Sequence, residues 1–297
     1  VATTAESEVS ESEAESEAPP GRPVAGWVGT LVADSGASDD VLVHPGGFLV
    51  ASDLVGDGTV AAPAGHTLQK VGFDGQVSVY ADGLDRPIGN AVSDDGWVYA
   101  VEYGAGGRVV AVSPDGAVSS LADGLNWPSN LVLIDGALYV TTWGDDSVQR
   151  LDLATGSVEV FATGGALSGP VGIVEDPEGF LLVASFNHGL LVRVDATGAS
   201  SAYVAIPESG DGATADLTWA WGGLYVTSFS GHGVYRVSDD GDVERFVGTG
   251  EAGTVDGDAS VARFDTPNGV AASADGRTLY VQQVGGALRS IVIEEES

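Results

Sequence analysis

Hydrophobic and polar positions along this chain alternate in short runs, cut by turns rich in Gly, Asp and Asn. Residues 128–163 hold one complete unit. Pro128 opens an apolar run through Ile134, Asp135-Gly136 makes a turn, and a β-rich run follows from Leu138 to Trp143. After a polar turn at 144–146, residues 148–153 alternate, Thr155-Gly156 intervenes, and 158–161 alternate again. This pattern predicts a four-stranded antiparallel meander. Period-two alternation buries one face of a strand, and Gly and Asp accept the backbone of tight turns.

The second strand of this unit recurs as FLVASD (48–53), VYAVEY (98–103), LYVTTW (138–143), LLVASF (181–186), LYVTSF (224–229) and LYVQQV (279–284). The starts lie 50, 40, 43, 43 and 55 residues apart. Four strands repeating at such a period predict a β-propeller. The two long spacings hold insertions at 54–67 and 247–266. The last module has only three strands and ends at Ile293, whereas 26–34, GWVGTLVAD, has a fourth-strand pattern and no partner nearby. Pairing 26–34 with 287–293 closes the ring and removes both open edges. The expectation is an all-β, six-bladed propeller over 26–297, preceded by a disordered acidic tether at 1–25.

Composition narrows the function classes. The chain has 297 residues, is 43% hydrophobic and carries 43 acidic against 11 basic side chains, for a net charge of −32. Such a charge excludes nucleic acid and anionic membranes as partners. It fits a salt-adapted source or a generally acidic proteome. No apolar run reaches the ~18–20 residues of a membrane helix. The absence of Cys excludes disulfides and thiolate metal sites. The absence of Met, even at position 1, reads as a chain whose leader has been removed. Residues 1–20 are Glu, Ser and Ala with no aromatic side chain, too apolar-poor to offset the entropy of ordering. The expectation is a secreted or cell-surface tethered monomer with a small-molecule ligand at one end of its channel.

The first strand of each blade lines the channel of a propeller. Counting back eight residues from each second strand gives Asp40, Asn90, Asn130, Ile173, Asp216 and Ala271, with Asp39 beside Asp40. An inner core strand facing its neighbours would carry Val or Ile there, so this register is the candidate site. Its carboxylate and amide oxygens suit a hard divalent cation, Ca²⁺ or Mg²⁺, and two carboxylates in a narrow channel repel unless a cation or a shared proton intervenes. A water-filled channel of mutually satisfied polar groups is the alternative. His188 and His232, in second-to-third-strand turns, are candidate acids or bases, with Asp216 the first candidate for acid/base or nucleophile. Glu102 and Asp53 end second strands on the same face. His66 falls in the first insertion, and His44 reads as structural. Trp127, Trp143, Trp219 and Trp221 are candidates to stack on a ligand or to pack between blades. No nucleophile elbow, His-Glu-x-x-His or phosphate loop is present.

Residues 246–281 resemble an NHL repeat: Gly-Thr-Gly at 248–250, Asp256-Gly257, Ala262-x-Phe264, Pro267-x-Gly269-Val270, then Leu279-Tyr280-Val281. More broadly, residues 26–293 resemble the six-bladed gluconolactonase/regucalcin-like propellers, and SDDVLVHPGGFLVAS at the start of blade 1 is similar to a paraoxonase calcium-ligand segment. The resemblance implies a calcium-type ion in the channel and hydrolysis of a lactone, ester or phosphotriester. It implies Asp40, Asn130 and Asp216 as metal ligands, and assigns Asp39 and Asp40 to the acidic pair. Blade 4 departs from the pattern: the family's Pro-Asn-Gly is Pro170-Val171-Gly172 here, and Pro-Asn-Gly stands instead in blade 6 at 267–269. The functions left open are a metal-dependent lactonase or esterase, a non-catalytic NHL-type module binding a peptide, glycan or cell-wall ligand, and a virginiamycin-lyase-like enzyme. The last would need a His–Glu pair at the mouth, from His232 or His188 with Glu102.

Overall fold

In the computed structural model, which describes residues 21–53, 65–207 and 214–296, six four-stranded antiparallel sheets stand around a channel. Blade 3 is the unit from which the repeat was read, with strands Pro128–Ile134, Ala137–Thr142, Ser147–Asp152 and Val158–Thr163 in that order from axis to rim. Blades 1, 2, 4 and 5 follow the same order. The sixth sheet takes Pro267–Ala272, Thr278–Gln283 and Leu288–Glu295 from the end of the chain and Pro23–Val32 from its beginning. Val28 pairs with Ile291 and Ala25 with Ile293, so the expected closure is present. The acidic segment 1–20 and most of the first insertion, at 54–64, lie outside the described residues.

Burial follows position in the blade. The second strands Phe48–Ser52 and Leu181–Ser185 are buried along their whole length, because adjacent blades cover both faces. This is why those strands read as unbroken apolar runs. Rim strands such as Val77–Asp82 alternate or face solvent. The core is divided among the contacts between blades. One cluster joins Val101 and Val109 of blade 2 to Leu131, Leu138, Val140 and Leu151 of blade 3.

The second insertion braces the closure. Val28 and Gly257 exchange backbone hydrogen bonds of 2.9 and 3.0 Å, and Thr30 Oγ1 donates to Asp256 Oδ1 at 2.7 Å. Arg289, fully buried, donates to Asp256 Oδ1 at 2.8 Å, to Val255 O at 3.0 Å and to Arg263 O at 2.9 Å. A buried guanidinium is tolerable here because backbone carbonyls and one carboxylate answer its two Nη groups, although Nε is buried without a partner.

The inner strands carry a detail that repeat spacing does not reveal. In blades 2 to 6 a register shift interrupts the first residues of the inner strand, whereas blade 1 pairs without one. Before the prolines that open four of these strands, Arg86, Trp127, Gly169 and Thr266 hold φ of 53°, 54°, 57° and 45°. Three of these residues are not glycine, so the turn into the channel stores backbone strain of roughly 1–2 kcal/mol per residue.

Candidate functional site: a carboxylate collar beneath an aromatic chamber

Three side chains from alternate blades meet on the axis: Asp40 of blade 1, Asn130 of blade 3 and Asp216 of blade 5. Each is held in the same way. Their backbone N–H groups donate to Ser52 Oγ, Thr141 Oγ1 and Thr227 Oγ1, each at 2.9 Å. Gly89, Gly172 and Gly269 of the intervening blades sit between them. A Cβ on these glycines would come within 2.4 Å of Asn130 Cα, 2.7 Å of Asp216 Cα and 2.6 Å of Asp40 Cα. Only glycine permits that approach.

The eight-residue count therefore picks the collar residue in blades 1, 3 and 5 and misses it in the others. Asn90, Ile173 and Ala271 lie beyond the glycine because the hairpin turns of blades 2, 4 and 6 are longer: Val92 pairs with Val98, Glu175 with Leu181 and Ala272 with Leu279, against Ile134 with Ala137 and Ala220 with Gly223 in blades 3 and 5. Asn90 contributes its backbone N–H to Asp40 Oδ2 at 2.8 Å, and its buried side-chain amide has no hydrogen-bond partner. That amide faces a lower cavity of about 310 Å³, which Asp40, Asn130 and Asp216 also line.

The collar is tightly connected. Asp40 Oδ1 accepts from Val41 N at 2.7 Å, Asp216 Oδ2 accepts from Val270 N at 3.0 Å, and Asn130 Nδ2 donates to Asp216 Oδ1 at 3.1 Å. Asp39 stands above it, its Oδ2 accepting from Asn268 Nδ2 at 3.0 Å. Burial is the largest influence on all three carboxyls. It raises Asp216 to about 6 against the pull of the Val270 and Leu217 amides, and raises Asp39 to about 7 with help from the nearby Asp216 charge. Asp40 is raised well above the ordinary carboxylate range by burial and by Asp216. Among the described residues, no Lys, Arg or His lines either cavity.

Above the collar opens a chamber of about 390 Å³. Its floor is Asp39, Asp40, Asn130, Asp216 and Asn268, and its walls include Tyr103, Trp127, Trp143, Phe186 and Phe229. Tyr103 packs edge-on to Trp127 at 4.8 Å between centroids, and Phe186 packs edge-on to Phe229 at 5.8 Å. Four of these aromatics share one sequence position, the residue closing each aligned second-strand segment: Tyr103, Trp143, Phe186 and Phe229. That column was visible in the sequence, yet only Trp143 and Trp127 stand out there as single aromatic residues. The positive φ of Trp127 turns its strand into the channel at this rim.

Other candidates fall outside this chamber. His188 is exposed, and His232 Nδ1 accepts from Thr266 N at 3.2 Å; neither lines the chamber. Glu102 is held by Arg108 at 2.5 and 2.8 Å and by Asp85 N at 3.1 Å, so it supports a strand end. Asp53 lines neither cavity, and His66 is exposed with Nδ1 at 2.8 Å from Leu84 O. His44 stacks on Phe48 and bonds to Gly96 O, as a structural residue would. Trp219 Nε1 donates to Glu175 O, and Trp221 lies under Arg277; both are away from the chamber. Val171 lines the chamber where the resembled pattern has Asn, and Asn268 of blade 6 supplies an amide instead. Among the described residues no three His, Cys, Asp or Glu side chains converge as a metal site by themselves. An ion at the collar would need the amides to complete its shell.

Comparison of the whole molecule places the architecture among solved structures. A protein described as a putative gluconolactonase superposes with a TM-score of 0.70 at 20% identity, over 93% of this chain and 95% of the other. The chain is a six-bladed β-propeller. An auxiliary nutrient binding protein from Bacteroides ovatus matches with a TM-score of 0.73 at 15% identity, over 93% of this propeller and 78% of that chain. Virginiamycin B lyase from Staphylococcus aureus matches with a TM-score of 0.61 at 16% identity, over 89% and 98% of the two chains. No protein-family model and no curated protein matches the sequence. At these identities the likeness is one of fold, and the three namesakes differ in what they do.

Proposed function

We propose that this propeller is a hydrolase of small lactones or esters that works in the mouth chamber with a calcium-type divalent cation at the collar. The observation that carries the reading is that Asp39, Asp40 and Asp216 line one aromatic chamber, with no cationic side chain on that lining among the described residues. Buried carboxylates in one channel repel unless a cation or shared protons intervene. The donor set is hard oxygen, which suits Ca²⁺ or Mg²⁺ and not a soft metal. Asp40, Asn130 and Asp216 would hold the ion, and the orphaned amide of Asn90 marks unsatisfied polarity just below them. Bound there, a divalent cation polarises a carbonyl oxygen.

The chain's own groups supply the rest. Asp39, half-buried on the chamber side with its carboxyl pushed up to about 7, exchanges a proton near neutrality and takes the role of general base toward a water. Asn268 fixes one Asp39 oxygen, which orients the carboxyl. The aromatic walls hold the apolar body of the substrate and exclude bulk water. In this reading Asp216 belongs to the collar, and His188 and His232 are not used. We propose a secreted or cell-surface location alongside this activity.

A second reading, a binding module without turnover, is favoured by the collar's own bonding. Both oxygens of Asp40 already accept backbone N–H groups, and Asn130 donates its amide to Asp216. The lyase-like alternative lacks support, because the lining residues include no His–Glu pair. Calorimetric titration with CaCl₂ and MgCl₂, followed by a lactone and aryl-ester panel, separates the readings. Metal binding lost in Asp216→Asn, with turnover lost in Asp39→Asn, supports the hydrolase. Metal binding without turnover supports the binding module, and neither metal nor turnover sinks the proposal.

A further inference from the structure

We propose that the mouth chamber is built for an organic cation: a substituted ammonium group on a small, otherwise neutral molecule. The inference rests on the chamber being the ligand site and deepens that reading by naming the ligand's charge. It does not depend on turnover or on a bound metal.

Walls and floor point the same way. Tyr103, Trp127, Trp143, Phe186 and Phe229 line the chamber from blades 2 to 5, and the faces of aromatic rings attract cations through their quadrupoles. Beneath them lie three carboxylates, Asp39, Asp40 and Asp216, with no Lys, Arg or His on the lining. A divalent ion at the collar would offset part of this negative charge. Without such an ion the acids are left to a cationic ligand. A ligand bearing a carboxylate or phosphate would meet no charged donor here. A purely apolar ligand would dry the carboxylates without compensating them. A substituted ammonium meets both demands, because its alkyl groups bury against rings while its charge stays above the acids. The chain's net charge of −32 also raises the local concentration of cations around the mouth.

Choline and 3,3-dimethylbutan-1-ol test the inference, since they share a shape and differ by nitrogen against carbon. Binding is followed by quenching of Trp127 and Trp143 fluorescence and by calorimetry, with and without saturating calcium. Choline is expected to bind at least about tenfold tighter than the alcohol, and less tightly as salt is raised. Asp39→Asn and Trp143→Leu are each expected to weaken choline binding about tenfold while changing the alcohol less than about twofold. Trp143 is 39% exposed, so its replacement leaves the core intact, and Phe229→Leu gives a second variant on the blade 5 wall. Equal binding of the two probes, or preference for the alcohol, overturns the inference and leaves an apolar chamber. Binding of neither overturns it together with the use of the chamber. Calcium retained without a choline preference counts against this inference alone, whereas a choline preference without calcium counts against the metal alone.

Discussion

At the scale of single residues, the site depends on pairs that hold each other in place. Asp40, Asn130 and Asp216 each need a hydroxyl behind them and a glycine beside them. Gly172→Ala would bring a Cβ to 2.7 Å from Asp216 Cα, so the blades must part; a loss of about 1–3 kcal/mol in urea unfolding is expected. Thr227→Val removes a hydroxyl that donates to Asn268 O and accepts from Asp216 N, and should destabilise by about 1–3 kcal/mol for the same measurement. The collar also fixes a pH dependence. Asp216 sits at about 6 and Asp39 at about 7 when folded, each raised from 3.8. The native state therefore binds more protons than the unfolded chain between pH 4 and 7. Stability of the metal-free protein should fall as pH rises through that window, by on the order of a few kcal/mol. Carboxyls lowered by local turns, such as Asp195 and Asp275, act on the other side, below their ordinary value. Thermal melts at pH 5 and pH 8 check the expectation, and Asp39→Asn with Asp216→Asn should flatten the difference.

At the scale of elements, the closure strand and the insertion act as one device. Asp256 accepts from Thr30 on the first strand and from buried Arg289 on the last. Removing it leaves a buried guanidinium with one fewer partner, although Asp256 is itself 44% exposed and partly screened. Asp256→Ala should lower the urea midpoint by the equivalent of about 1–2 kcal/mol. Hydrogen exchange should rise first at 24–32 if the brace works on the seam. The existence of this seam was legible, because a three-stranded last module and an orphan first strand leave no other economical closure. The brace was not legible: nothing in the spacing of 247–266 says that it folds back over Val28. The inner strands show the same limit. Asn130 and Asn90 occupy equal counts from their second strands, yet the longer turn of blade 2, with Val92 paired to Val98 against Ile134 to Ala137 in blade 3, puts Gly89 and not Asn90 beside the collar.

At the scale of the whole molecule, charge and architecture are separate matters. A chain at −32 repels itself when compact, so added NaCl should raise its melting temperature, most below about 0.5 M where screening changes fastest. A melting temperature independent of salt would show that the acidic residues are already compensated. The ring itself supplies rigidity for a small site. Loops and strand ends of blades 2 to 5 deliver the aromatic residues, and the sheet edges are hidden by closure except at the rim. That arrangement explains why proteins with unrelated activities share the fold at 15–20% identity.

The sequence by itself determined the six blades, their strand order and the pairing of first strand with last. These follow from alternation and turn chemistry, which act over a few residues and repeat along the chain. It also marked Asp40, Asn130 and Asp216 as polar where a core strand should be apolar. Only the tertiary structure decided that these three meet on alternate blades, with glycines between them, under a chamber walled by Tyr103, Trp143, Phe186 and Phe229. Distances across a channel are set by strand bulges and by how blades pack, and neither leaves a period in the sequence.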